Sequence, residues 1–457
     1  MTTRFLAGAA ETDLTPRLGT QIAGDIGRYR PAEFLLDPLF ARALVLESAG
    51  RRLCVLSLDL LAVTRPWVTE IRRRAEAEFG LRPEQVMVHS TQTHAAPTVG
   101  HCAVSDECTL IPPDLPWLRG GDDAYNEFAV GRIIEALRRA CESLEPVRFG
   151  AASGLEGRVA QNRRYVMRDG TTLTHPSGDR LKDVLYCEGP IDPEVGLVAF
   201  VTESLHTRAA LLQYTCHPTH GYPLRYISAG WPGAWVNGFK GLHGAECVPL
   251  VINGCCGNIH HSHHLDPTFP STPEHIGRLL TDDVVRLFSE IRWSDEAPLD
   301  CRSITLKLPI RSLTPEAVAA AEQMVRDHPE PLWANDERTA VAWDWVYAVS
   351  SLDIHAQQQK QPWQEYEIQV FRFGDIALVG LGGEPFVEGQ LQIKQHSPVR
   401  HTYFAHMTNG FVGYIPTEEA FRRGGYETRT ANWSQLAPEA LGIIAEETAK
   451  LLGGLFA

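Results

Sequence analysis

Residues 52–63 read Arg-Leu-Cys-Val-Leu-Ser-Leu-Asp-Leu-Leu-Ala-Val, and no other stretch constrains the fold of this 457-residue chain as strongly. The run is almost continuously apolar, yet shorter than the roughly 20 residues that a membrane span requires. It reads as a strand covered on both faces. Such a strand needs helices beside it, and residues 64–79 supply one, with Trp67, Val68, Ile71 and Ala75 on one side and Gly80 as its stop. The alternation continues. Strands are expected at 85–90, 196–202, 209–215, 248–253, 304–309 and 366–381, the last split at Gly374-Asp375. Helices are expected at 123–144, 273–291 and 438–452. This pattern predicts an α/β fold with a large mixed β-sheet and flanking helices, as a single domain over 1–457. Two segments stand outside it. Residues 100–121 are long, polar and rich in turns, as lids and insertions are. Residues 333–361 hold several tryptophans without a clear period, and either line a pocket or pack as a helical insertion.

Charge narrows the partners. With 42 Lys and Arg against 56 Asp and Glu, the net charge is −14. That disfavours nucleic acid, whose binding rewards clustered cations, and anionic membrane surfaces. No apolar run suits a membrane span, and the first residues lack a signal-peptide core. The ten cysteines are scattered without a Cys-x-x-Cys pair. A cytoplasmic protein with free thiols is expected, acting on a small molecule, with a homo-oligomer left open.

Four places could carry chemistry, each just after an expected strand, where α/β proteins collect their ligands. The first is the turn Thr91-Gln92-Thr93-His94-Ala95-Ala96-Pro97. The second, Cys216-His217-Pro218-Thr219-His220, sets two histidines three apart. The third runs from Asn253 to His264 and ends in four histidines within five residues: His260, His261, His263 and His264. The fourth is Gly382-Gly383-Glu384-Pro385. Taken singly, each reads as readily as an ordinary polar turn, or, for Glu384, as the start of a helix. Taken together they suit a catalytic zinc, which takes about three ligands from His, Glu, Asp or Cys and leaves a position for water.

The order of the motifs resembles the catalytic domain of neutral, non-lysosomal ceramidases. It begins at Gly8-Ala9-Ala10-Glu11-Thr12-Asp13-Leu14-Thr15-Pro16 and continues through Asp37-Pro38-Leu39, the turn containing His94, Asn162-Arg163, Cys216-His217-Pro218-Thr219 and Ile227-Ser228-Ala229-Gly230. Gly257-Asn258, Gly383-Glu384, Asn409-Gly410-Phe411-Val412-Gly413-Tyr414 and Tyr426-Glu427 complete it. The resemblance implies one zinc ion per chain and cleavage of an amide by metal-activated water. It makes His217, Glu384 and Tyr414 metal ligands. Arg163, His94 and Tyr426 become pocket residues that hold the scissile group and its developing oxyanion.

The departures bear on the metal and the substrate. The family's His-Thr-His-Ser-Gly-Pro has its first histidine on zinc, and here that position is Gln92. Either His94 moves onto the metal, His260 or a neighbour replaces the missing ligand, or the metal has changed or gone. His260 stands where the family has a substrate-facing serine, and is a candidate catalytic residue. The chain ends soon after Tyr426, so the C-terminal β-sandwich of ceramidases is expected to be missing. The leading expectation is a zinc-dependent hydrolase of an amide or ester smaller or more polar than ceramide. The alternatives are a metal-independent histidine acid/base enzyme acting on a polar or carbohydrate substrate, and a ligand-binding protein on the same scaffold.

Overall fold

A computed structural model describes residues 4–266 and 268–457. The apolar runs assemble into one large mixed sheet. Its strands are β1 (Leu6–Asp13), β2 (Phe40–Ser48), β3 (Arg51–Leu58), β4 (Val86–Ser90), β5 (Glu145–Leu155), β6 (Glu194–Thr202), β7 (Thr207–Tyr214) and β8 (Val248–Asn253). Their spatial order is β8-β7-β6-β5-β1-β2-β3-β4. The outermost pairs, β8 with β7 and β3 with β4, are parallel, and the pairs between them are antiparallel. A second sheet holds β9 (Leu299–Pro309), β10 (Trp363–Phe373), β11 (Ile376–Leu381) and β12 (His401–Ala405) in that order, with β11 and β12 parallel.

The two sheets face each other. Leu44, Leu46, Leu53 and Phe200 of the larger sheet share one buried cluster with Phe371, Phe373 and Leu378 of the smaller. Helices α1 (Arg65–Phe79) and α2 (Asp123–Glu142) cover the outer face of β1 to β4. Helices α3 (Gly230–His243) and α4 (Pro273–Glu290) cover β5 to β8. After α5 (Pro315–Asp327) and α6 (Trp343–Lys360), helices α7 (Val387–His396) and α8 (Ala440–Phe456) close the far side of the smaller sheet. The layers therefore run helix, sheet, sheet, helix, each apolar face buried against another. Among the described residues no helix is long and apolar enough to cross a membrane.

Local chemistry sets the ends of these elements. Gly80 ends α1 in the left-handed conformation, with φ 69°, and its N–H bonds back to the carbonyls of Ala75 and Glu76. The expected strand at 52–63 stops at Leu58. Just beyond it, the buried Asp59 carboxylate accepts from Phe40 N–H and from the Arg42 guanidinium, which turns the chain out of the sheet. The segments 100–121 and 333–361 prove to be partners. Val104, Ile111 and Leu118 pack on Trp345, Val346 and Val349 of α6, in a cluster that includes Tyr414 and Trp433. Ser105 adds two hydrogen bonds to the Asp353 carboxylate.

Candidate active site

Four strand ends converge on Asn253, the last residue of β8. Its side-chain oxygen accepts from Cys216 N–H after β7, and its amide donates to the Thr91 carbonyl after β4. Its backbone N–H donates to His89 Nε2, and its carbonyl accepts from His406 N–H after β12. Because His89 Nε2 accepts, His89 Nδ1 carries the proton and donates to the His406 carbonyl at 2.6 Å. This buried knot brings the turns containing His94, His217 and the Gly254–His264 run to one end of the larger sheet.

The central contact there is between two imidazoles. His94 Nε2 lies 2.8 Å from His217 Nε2. His94 Nδ1 faces the Gly24 carbonyl at 3.1 Å, and His217 Nδ1 faces the Cys256 carbonyl at 3.4 Å. A carbonyl can only accept, so both Nδ1 atoms carry protons and both Nε2 atoms present bare lone pairs to each other. One ring must surrender its carbonyl, take a second proton, or share a cation with its neighbour. The second proton is disfavoured. Burial, with Arg30 adding to it, lowers the His94 pKa to about 3, and burial takes His217 well below its usual value. Gly24 is required for this seat. At φ 84° it adopts a conformation suited to glycine, and a Cβ there would run into His94 Nδ1.

Glu384 and Tyr414 arrive as a parallel bridge between two short strands. Glu384 N–H bonds to the Gly413 carbonyl and Tyr414 N–H to the Trp433 carbonyl, each at 2.8 Å. The approach depends on Gly383, where φ is 64° and a Cβ would lie 2.5 Å from the Gly413 oxygen. The Glu384 carboxylate is buried, 3.9 Å from His217 Nδ1, and its Oε2 has no hydrogen-bond partner. Burial raises its pKa to about 7, against the opposing pull of Arg163 and of the Gln92 and Tyr414 side chains. Gln92 is buried at φ 69° and accepts from the Cys256 thiol at 3.6 Å.

Arg163 is held beside this carboxylate by its own counter-ion. Its Nε donates to Glu427 at 2.9 Å, its Nη2 donates to the Gly257 carbonyl at 2.7 Å, and its guanidinium lies 5.3 Å from the centre of the Tyr414 ring. Glu427 also accepts from Arg164 and Thr174. Burial alone would raise its pKa, but Arg163 and Arg164 outweigh burial and hold it at about 2. Tyr426 meets the Tyr414 ring edge-on at 5.6 Å. Gln92, His94, Glu384, Tyr414 and Tyr426 line a cavity of about 40 Å³.

The histidine-rich run forms a neighbouring cluster. His261 Nδ1 donates to the His217 carbonyl at 3.1 Å, so the two groups share the turn at 217–219. His260 Nδ1 accepts from Ser262 N–H, hence its Nε2 carries the proton and donates to Thr219 Oγ1 at 2.6 Å. That tautomer does not make His260 a base toward Thr219. His175, just after the short strand Thr172–Thr174, meets the His260 ring edge-on and lies tilted to His264, with ring centres 4.7 Å from each. The ligand atoms of His175, His260 and His264 all lie within 4.8 Å of one another. Among the described residues this trio meets that closeness, and His94, His217 and Glu384 do not.

The sequence-derived residues His94, His217, Glu384, Tyr414, Arg163 and Tyr426 therefore meet in one place, with His260 in the adjoining cluster. Four others have structural parts that the sequence did not signal. Gly24 and His175 are isolated residues in polar loops. Glu427 and Asn253 stood in motifs without a role of their own.

The backbone is similar over its whole length to solved structures. A crystal structure of neutral ceramidase from Pseudomonas aeruginosa matches with a TM-score of 0.72 at 18% identity, over 100% of this chain and 75% of that one. A ceramidase complexed with C2 matches with a TM-score of 0.73 at 18% identity, over 99% and 75% respectively. No family model and no curated protein sequence matches the chain.

Proposed function

We propose, on the premise of a neutral-ceramidase fold, that this chain is a metal-dependent hydrolase of an amide or ester bond, with its centre at His94 and His217. The observation that carries the reading is the pair of Nε2 lone pairs 2.8 Å apart, each ring fixed by a carbonyl behind it. A carbonyl behind a ring is the usual arrangement behind metal-bound imidazole. The buried Glu384 carboxylate, whose Oε2 has no hydrogen-bond partner and lies 3.9 Å from His217 Nδ1, would supply a third donor, and Tyr414, paired with it along the backbone, a fourth. Imidazole with carboxylate and phenol oxygen suits zinc. On this reading His94 takes the place that Gln92 cannot fill.

A zinc ion here would supply Lewis acidity and lower the pKa of water in contact with it to about 7. The chain's own residues supply the rest. Arg163 is a fixed cation, held charged against the effect of burial by the Glu427 carboxylate paired with it. It can stabilise negative charge developing on a carbonyl oxygen without reorganising, the most effective form of electrostatic catalysis. Tyr426, whose ring meets that of Tyr414 on the wall of the same cavity, would donate to the same oxygen or to the leaving group. The cavity of about 40 Å³ favours a substrate smaller than ceramide.

The reading is tested with small amide and ester substrates on the full chain. Hydrolysis should stop after treatment with a chelator and return with added zinc. Activity unaffected by the chelator would replace it with acid/base catalysis by neutral histidines. Zinc binding without turnover of any substrate would leave a ligand-binding role.

A further inference from the structure

We infer that His175, His260 and His264 form a second metal-ion site, separate from the centre proposed at His94 and His217. Their ligand atoms lie within 4.8 Å of one another. The ring centres of His175 and His264 are 4.7 Å apart, and those of His260 and His264 are 5.1 Å apart. A second observation points to the same place: His264 Nε2 is buried and has no hydrogen-bond partner. A buried nitrogen without a partner is costly, and a cation at the centre of the three rings satisfies it.

The donor set defines the occupant. Three neutral imidazoles without a carboxylate select a late first-row divalent cation such as zinc or cobalt over magnesium or calcium, which prefer oxygen. Three protein ligands leave coordination positions free. His175 is exposed and His264 half-buried, so the site has an entry path and can admit a ligand from solvent. With no anionic ligand the occupied site keeps its full positive charge, so an anionic group of a substrate is the class it would take. The nearby Arg163 does not repel the ion unopposed, because Glu427 is paired with it. Occupation has one local cost. Bound through Nδ1, His260 gives up the hydrogen bond from Ser262 N–H and keeps the one that its Nε2–H makes to Thr219. A single hydrogen bond is small against transition-metal coordination.

The test uses the full chain, stripped of metal with a chelator, loaded with cobalt(II) alone and desalted. Cobalt per chain is measured by mass spectrometry and its environment by visible absorption. The wild type is expected to hold two equivalents. His264→Ala and His175→Ala should each hold one, with unchanged circular dichroism, and His217→Ala should lose the other. His175 is exposed, so its replacement tests the site even if His264→Ala misfolds. Unchanged cobalt in both His175→Ala and His264→Ala overturns the second site. A wild type with a single equivalent, lost in His217→Ala alone, also overturns it and leaves the first centre standing. A single equivalent lost in His264→Ala and kept in His217→Ala supports the histidine trio and removes the centre at His94 and His217.

Discussion

Glu427 has no accessible surface and is bound by two arginines, so two buried charges depend on this single residue. Removing one partner of a buried ion pair leaves the other charge uncompensated, at a cost of about 3–5 kcal/mol. Glu427→Gln should destabilise the protein by that amount at neutral pH, read from urea unfolding. The pH dependence follows from the sign of the shift. The carboxyl titrates at about 2 in the folded protein, below its ordinary value of 4.5. Its contribution is therefore complete above the unfolded value and is lost as pH falls through about 2. The wild type should lose stability over that acid range, and Glu427→Gln should lack this part of the loss. Legibility at this scale was uneven for a physical reason. His94, His217, Glu384 and Tyr414 stand in short ordered motifs. Gly24 and His175 act through space, on rings 70 and 85 or more residues away in sequence, and local sequence carries no trace of that.

The elements were legible where one face of a helix or both faces of a strand were apolar, as in α1, α4, β3 and β8. They were hidden where tertiary packing overrides local preference. Helix α3 is not among the expected helices, since it carries Gly230, Gly233, Gly238 and Gly241. It is helical because Trp231, Trp235 and Phe239 are buried against the sheet, and because Gly238 lets α4 approach at Thr281. Helix α6 has no apolar stripe, since Trp345, Val346, Tyr347, Ala348 and Val349 are buried consecutively between the segment at 100–121 and Trp433. Strand β1, Leu-Ala-Gly-Ala-Ala-Glu-Thr-Asp, has small residues where strands usually have branched ones. The element-scale test is the Asn253 knot. Asn253→Ala leaves Cys216 N–H and the Thr91 carbonyl without their partners, and each buried orphan costs about 1–3 kcal/mol. Calorimetry should show a lowered melting temperature, together with loss of activity, because the turns of His94 and His217 separate.

At the scale of the molecule, the two sheets share one core. Phe371 and Leu378 of the smaller sheet are packed among Leu44, Leu53 and Phe200 of the larger, and neither inner face is covered without the other. We propose that the chain is one cooperative domain, as its sequence suggested. Urea unfolding followed by circular dichroism and by tryptophan fluorescence should give coincident single transitions. Separate transitions would divide the sheets into two units. The α/β class and mixed sheet were readable from alternating apolar runs. The face-to-face pairing of two sheets was not, since it depends on which of two buried faces meets which. The same architecture delivers Glu384 from the smaller sheet to His94 and His217 on the larger. The most direct measurement is the zinc content of metal-loaded, desalted wild type and of His94→Ala and His217→Ala. The expected result is that each variant holds one equivalent fewer than the wild type and hydrolyses neither amide nor ester. Zinc content unchanged in both variants, or a wild type that binds none, would contradict a metal centre between the two imidazoles.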